Sequence, residues 1–314
     1  GIWAALATGS PLSTGWSVAG SVLRAWRRRQ LVQGGRGVDL DWLLDLGGGL
    51  AWSDLQRLHI DGSHSIALDR SLDELEILWC RHLETHVPLQ HLVARCPWRD
   101  MLLEVSSDAL IPRQETELLL DLVEQLPMPE SPQVWADLGT GSGAIAIALA
   151  RLFPEASGHA VDSSAEALAL CSRNIRRLLK ASKCRLHRGS WWEPLRPWWG
   201  RLDLVLSNPP YIPDDQLESL DPVVRDHEPR LALDGGSDGL FCIRQLIASA
   251  GQALAPGGWL LLEHHHDQSI EVQRLMLEGG LVDVSPAADL QGIMRFAQGR
   301  RAPAGGSPGL DDDG

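Results

Sequence analysis

Asn208, Pro209, Pro210 and Tyr211 follow the apolar run DLVLS, and about 65 residues earlier DLGTGSG, Asp137 to Gly143, closes another short apolar run. An Asn side-chain oxygen and a carbonyl held by a proline can each accept one hydrogen of a planar amide or amino group, and the Tyr211 ring can stack on its face. Prolines bring no N–H of their own, so no donor competes at that spot. The second segment, Gly139, Thr140, Gly141, Ser142 and Gly143, lies where a strand should pass into a helix, and there the backbone can approach a nucleoside cofactor closely. Either motif alone is a common turn. In this order and spacing, within alternating strand and helix patterns, they point to group transfer onto an amide or amino nitrogen.

The elements that must position these residues can be read from periodicity. From about Val18 to Pro88 the pattern is helical: Leu23, Trp26 and Leu31 recur at helical spacing, and SLDELEILWCRHLETHV opens with Ser71 and Glu74 in capping-box register. After Ile111 and Pro112, RQETELLLDLVEQL predicts a helix with Glu115 and Glu117 in its first turn. QVWADLG, GHAVD, CRLHR, DLVLS and WLLLEH then read as strands, separated by the helices SGAIAIALARLF, SAEALALCSRNIRRLLK and about 239–254. A turn at Pro256, Gly257 and Gly258 precedes the last of these strands, and shorter elements finish near Phe296. The resulting division is a flexible segment 1–20, a small helical domain 21–88, a linking hairpin 89–110 carrying Trp98, Met101, Leu103 and Val105, an α/β domain 111–300 and a disordered tail 301–314. The α/β domain is expected to be doubly wound, with a mostly parallel sheet and ligands beyond the carboxyl ends of its strands.

That rule gathers the glycine turn, Asp162, Ser190, Trp191 and Asn208 at one crevice. Asp162 can accept from two ribose hydroxyls; the competing assignment is a helix N-cap ahead of Ser163. The glycine turn lacks the Lys-Ser/Thr of a P-loop and does not spell GxGxxG, so a nucleoside without phosphates fits better than NAD or ATP. Trp191 is expected to wall the cofactor, while the remaining tryptophans are core. His264, His265 and His266 sit at a strand end, where neighbours point to opposite faces, and are assigned to a loop with no metal site.

Composition narrows the classes. The 314 residues, 44% hydrophobic, suffice for a large domain and a smaller one. Net charge is −13 (28 basic against 41 acidic residues), which argues against nucleic-acid or anionic-membrane partners and for a neutral or basic protein. Arg27, Arg28 and Arg29 are assigned to a solvated helix face. The five scattered cysteines predict free thiols in a reducing, cytoplasmic setting, and the uncharged first 23 residues lack the form of a secretory signal or membrane span.

ALIPRQETELL, DLGTGSGAIAIALA, SNPPYIP and DHEPRLALDGGSDGL together resemble the class I S-adenosylmethionine-dependent methyltransferases, and more narrowly the HemK/PrmC family of protein-glutamine methyltransferases that modify peptide chain release factors. The resemblance spans roughly residues 20–298. It implies a seven-stranded, Rossmann-like sheet, with Gly139 to Gly143, Asp162, Trp191 and Asn208 around S-adenosyl-L-methionine. It also implies that Asn208, Pro209, Pro210 and Tyr211 hold the glutamine of a Gly-Gly-Gln loop, that the helical domain selects the protein, and that the enzyme serves translation termination in the cytoplasm. Gln114 stands where the family usually has proline, and Ser190 where an acidic residue commonly precedes the aromatic.

An amide nitrogen is a poor nucleophile, its lone pair being delocalised into the carbonyl. The chemistry therefore requires acceptors that aim the nitrogen, held about 3 to 3.5 Å from an activated methyl. Three other functions compete. A ribosomal-protein glutamine methyltransferase would use the same chemistry and differ in the helical domain. An adenine-amino DNA or RNA methyltransferase would act on a flipped base, against the acidic balance. A non-catalytic cofactor-binding adaptor is disfavoured by the retention of Asn208 and both prolines.

Overall fold

The computed structural model describes residues 15–305. They divide into two compact units: one takes in the chain up to Cys96 together with Asp221–His227, the other Pro97–Leu220 and the chain from Glu228 onward.

In the first unit β1 (Trp16–Ala19) leads into α1 (Gly20–Gln33), followed by α2 (Gly37–Trp42), α3 (Trp52–Ile60), β2 (Ser65–Leu68), α4 (Leu72–Thr85) and α5 (Leu89–Val93). Leu23, Trp26 and Gln30 share the buried face of α1, and Leu23 and Trp26 join Leu40, Leu44, Leu75 and Trp79 in a core of the unit's own. The start of α4 is set by its cap: Ser71 Oγ accepts the N–H of Glu74 at 3.1 Å, and the Glu74 carboxylate accepts the N–H of Ser71 at 3.0 Å. His227 Nε2 lies 2.6 Å from the Thr85 carbonyl oxygen, fastening the late segment to the end of α4.

Two expectations change here. Residues 1–14 lie outside the described residues, but Trp16–Ala19, expected to be flexible, are a strand antiparallel to β2, with Val18 opposite Ile66. The partner lies almost fifty residues away, so no local pattern announces it. Arg27 is not solvated: it makes a two-pronged ion pair with Asp41 at 2.7 and 3.0 Å, while Arg28 and Arg29 are exposed.

The rest of the chain runs β3 (Arg95–Trp98), β4 (Met101–Glu104), α6 (Glu117–Glu124), β5 (Val134–Leu138), α7 (Ala144–Leu152), β6 (Ser157–Asp162), α8 (Ala165–Leu178), β7 (Cys184–Arg188) and β8 (Leu202–Ser207). It continues with α9 (Pro222–Arg225), α10 (Phe241–Ala253), β9 (Leu254–Glu263), α11 (Ser269–Glu278), β10 (Val282–Ala288) and β11 (Met294–Arg300). β3 and β4 form the two-stranded hairpin, shorter than the expected 89–110, and the unit boundary falls inside β3. α9 belongs to the helical unit.

Seven strands form one sheet in the order β10-β11-β9-β8-β5-β6-β7. β7, β6, β5, β8 and β9 are parallel, and β11 and β10 close the edge antiparallel. Leu204, Val205, Leu206, Leu260, Leu261 and Leu262 are fully buried in consecutive positions, as strands covered on both faces require. α6 packs on α7 and α7 on α8; α10 packs on α11. The strand order reverses between β5 and β8, and that switch point opens a crevice at the carboxyl ends. β9 begins at Leu254, so Pro256 to Gly258 is an irregular stretch within the strand and not a turn before it, and β11 carries the fold on to Arg300.

Candidate active site

β5 passes into α7 through Gly139, Thr140, Gly141, Ser142 and Gly143. Gly139, Gly141 and Gly143 have φ of 81°, 54° and 93°, where a side chain would be strained. Space is short as well: a Cβ on Gly143 would stand 2.7 Å from Sγ of Cys171, and one on Gly139 3.1 Å from the Trp191 ring. Asp162, at the end of β6, supports the turn: its Oδ2 accepts the N–H of Gly141 and its Oδ1 that of Ser164, each at 2.9 Å. The N-cap of α8 is Ser164, whose hydroxyl accepts the N–H of Ala167 at 3.1 Å, so Asp162 does not fill that role. Each Asp162 oxygen keeps capacity for another donor. Burial raises its pKa, against the opposing pull of the backbone N–H bonds.

Asp137, within β5, is fully buried, and neither carboxylate oxygen has a hydrogen-bond partner in acceptable geometry. Burial pushes its carboxyl up to about 7; Thr140 and the Ala146 N–H only partly offset that. Trp191 follows β7 with φ 45°, and its indole N–H donates to Oε1 of Gln245 on α10 at 3.0 Å. The bond fixes the ring that stands against Gly139.

Asn208 directly follows β8. Its Nδ2 donates to Thr116 Oγ1 across a long 3.4 Å, and Thr116 Oγ1 donates to Glu263 Oε1 at 2.6 Å. The Tyr211 hydroxyl donates to Glu263 Oε2 at 3.0 Å, and Gln268 Nε2 donates to the Tyr211 carbonyl at 3.1 Å. Burial raises the pKa of Glu263, partly offset by the two hydroxyls, and raises that of Tyr211 as well, which therefore keeps its proton. Arg113 pairs with buried Glu228 at 2.8 Å, and Glu228 also accepts the N–H of Ile111, so the IPR and HEPR segments meet here.

A cavity of about 700 Å³ opens among these segments. Gly139, Thr140, Gly141, Ser142, Asp162, Trp191, Asn208 and Pro210 line it; Gly143, Pro209 and Tyr211 lie outside its wall. The structure thus brings both motifs together and turns the Tyr211 hydroxyl toward Glu263. Sequence reasoning missed Thr116, Gln245 and Glu263. Glu263 was within reach, since it ends a strand by the rule that located Asp162.

The three histidines lie in the loop after β9, as expected, but strand alternation is not the reason for their arrangement. β9 ends at Glu263, so strand alternation does not govern His264 to His266, and the Nδ1 atoms of His265 and His266 lie 2.8 Å apart beside Asp267. His265 Nδ1 also accepts the N–H of His266 at 3.1 Å, which occupies its lone pair. All five cysteines are free. Among the described residues no helix is long and apolar enough to cross a membrane.

Comparison with known proteins places this geometry. A family model described as the methyltransferase small domain matches residues 114–236. The release factor glutamine methyltransferase of Prochlorococcus marinus is 55% identical over 275 residues, covering 86% of this chain and 93% of that protein. Its namesake in Synechocystis sp. is 40% identical over 296 residues, covering 90% and 97%. Among solved structures, the hMettl16 catalytic domain in complex with the MAT2A 3'UTR hairpin 6 matches with a TM-score of 0.51 at 14% identity, over 73% of this chain and 82% of that one, a likeness of fold alone. With such identity over nearly the whole length of its relatives, the chain belongs to the release factor glutamine methyltransferases, the HemK/PrmC family of class I methyltransferases.

Proposed function

We infer that this chain transfers a methyl group from S-adenosyl-L-methionine to the side-chain amide nitrogen of the glutamine in the Gly-Gly-Gln motif of peptide chain release factors. The observation that carries the reading is that Asn208 and the glycine turn border the same cavity, in a chain 55% identical to a release factor glutamine methyltransferase.

The residues fit the cofactor. Gly139 forms a cradle that a Cβ would fill against Trp191, and Asp162 beside it has acceptor capacity for ribose hydroxyls. When bound, S-adenosylmethionine supplies a methyl on a positively charged sulfur, a good leaving group. Asn208 Oδ1, on the cavity wall, accepts an amide hydrogen of the substrate and so orients its nitrogen, whereas the Pro209 carbonyl, expected to take the second hydrogen, does not border the cavity. As positive charge grows on that nitrogen, the Asn208 acceptor binds it more tightly, which favours the transition state over the bound substrate.

A site shaped for one small amide cannot choose among glutamines, so selection needs a second surface. The helical unit supplies it in this reading, and its loss is expected to raise the concentration of release factor required. Five free cysteines fit a reducing cytoplasm.

The test is mass spectrometry after incubating the purified chain with isotope-labelled cofactor and either release factors, duplex DNA or ribosomal proteins. Label on the Gly-Gly-Gln glutamine is expected. Label on DNA or a ribosomal protein with both release factors unlabelled would overturn the substrate assignment.

A further inference from the structure

Glu263 is 2% exposed and, among the described residues, has no ion-pair partner; Arg295, which contributes positive charge nearby, is bonded to Asp289 at 2.6 Å. A buried carboxylate without a counter-ion is costly unless hydrogen bonds hold it. Glu263 has two: the Thr116 hydroxyl on one oxygen at 2.6 Å and the Tyr211 hydroxyl on the other at 3.0 Å. Thr116 is the odd partner. It directly precedes α6 with helical backbone angles (φ −64°, ψ −21°) and not the extended ones of a capping residue, and its hydroxyl caps nothing. Its hydroxyl is turned to Glu263 instead.

The direction of these bonds has a consequence for Asn208. A hydroxyl has one hydrogen. Because Thr116 gives that hydrogen to Glu263, only its lone pairs remain for Asn208, and Asn208 must meet it with the amide nitrogen, as it does at 3.4 Å. The carbonyl end, Oδ1, is then the end left to serve as an acceptor. Were the side chain flipped, two acceptors would face each other at Thr116 and an N–H₂ would be offered to the hydrogens of a substrate amide. The donor polarity of the row Glu263, Thr116, Asn208 therefore selects the one amide orientation that can receive a substrate N–H.

We propose that Thr116 and Glu263 are positioning residues for methyl transfer, which hold Asn208 with its carbonyl oxygen toward the substrate amide and anchor Tyr211 through its hydroxyl. The inference rests on the functional reading above, in which Asn208 accepts from the substrate. Neither residue touches the transferred group; both act through Asn208 and Tyr211.

Thr116→Val keeps the shape and removes the hydroxyl, whereas Thr116→Ser keeps the hydroxyl. Glu263→Met keeps the length of the side chain but removes both acceptors, so the Thr116 hydroxyl loses the partner that takes its hydrogen. The experiment measures kcat and KM with release factor, and affinity for S-adenosylhomocysteine by calorimetry, for the full chain and each variant. Thr116→Val and Glu263→Met are expected to lower kcat about tenfold or more, with KM and cofactor-product affinity within about threefold of the parent, while Thr116→Ser returns kcat to within about threefold. Unchanged affinity shows that the variants are folded; if Thr116→Val fails to fold, Glu263→Met decides. Parental kcat in Glu263→Met, or a Thr116→Ser variant as slow as Thr116→Val, would overturn the proposal while the parent's activity upheld the functional reading. A parent that binds S-adenosylhomocysteine but leaves release factors unmethylated would overturn both.

Discussion

Asp162 accepts the backbone N–H of Gly141 at 2.9 Å, so the residue that ends β6 shapes the turn that ends β5. The two adjacent parallel strands present a carboxylate and a glycine turn to the same cavity, and the carboxylate shapes the turn while keeping acceptor capacity for a ligand.

Asp162→Ala is therefore expected to weaken cofactor binding by roughly 1 to 3 kcal/mol. Titration calorimetry with S-adenosylhomocysteine measures this directly. An affinity equal to the parent's would remove Asp162 from the site.

Asn208→Ala should fold and lose at least tenfold in kcat, about 1.4 kcal/mol of barrier, because the lost acceptor acts on the reacting amide. Steady-state kinetics with release factor, paired with a melting curve, separate this from unfolding. Turnover within about threefold of the parent would contradict the role.

Gly143→Ala combines a φ of 93° with a Cβ 2.7 Å from Sγ of buried Cys171. A destabilisation of about 1 to 3 kcal/mol is expected from the strained backbone, with additional cost if the Cys171 side chain cannot move aside. Denaturant titration is the check, and a variant as stable as the parent would refute the packing argument.

Stability should fall as pH rises through the titration of Asp137. Burial raises its pKa in the folded chain to about 7 from the ordinary 3.8, so between these values the unfolded chain has released a proton that the folded chain still holds. This contribution is fully present below pH 3.8 and lost as pH approaches about 7. Asp137→Asn, which cannot ionise, should flatten that slope when melting temperatures at about pH 5 and about pH 8 are compared. The same slope in parent and variant would assign it to other groups.

The sequence alone determined the alternation of strands and helices in the larger unit, because apolar runs and turn glycines are local signals. It also located Gly139, Asp162, Trp191 and Asn208, since each follows or ends a readable strand and the carboxyl-end rule then brings them together. Ser71 and Glu74 announced the start of α4 in the same local way.

Tertiary structure decided what depends on partners distant in the chain. Trp16–Ala19 became a strand through Ser65–Leu68, and Asp221–His227 joined a helical unit whose other residues end at Cys96. The segment around Thr116 reads locally as helix, and nothing in it names the partner of the Thr116 hydroxyl, the carboxylate of Glu263, 147 positions later. The direction of a hydrogen bond depends on both ends, and the far end is fixed only when β9 lies beside β8 in the folded sheet.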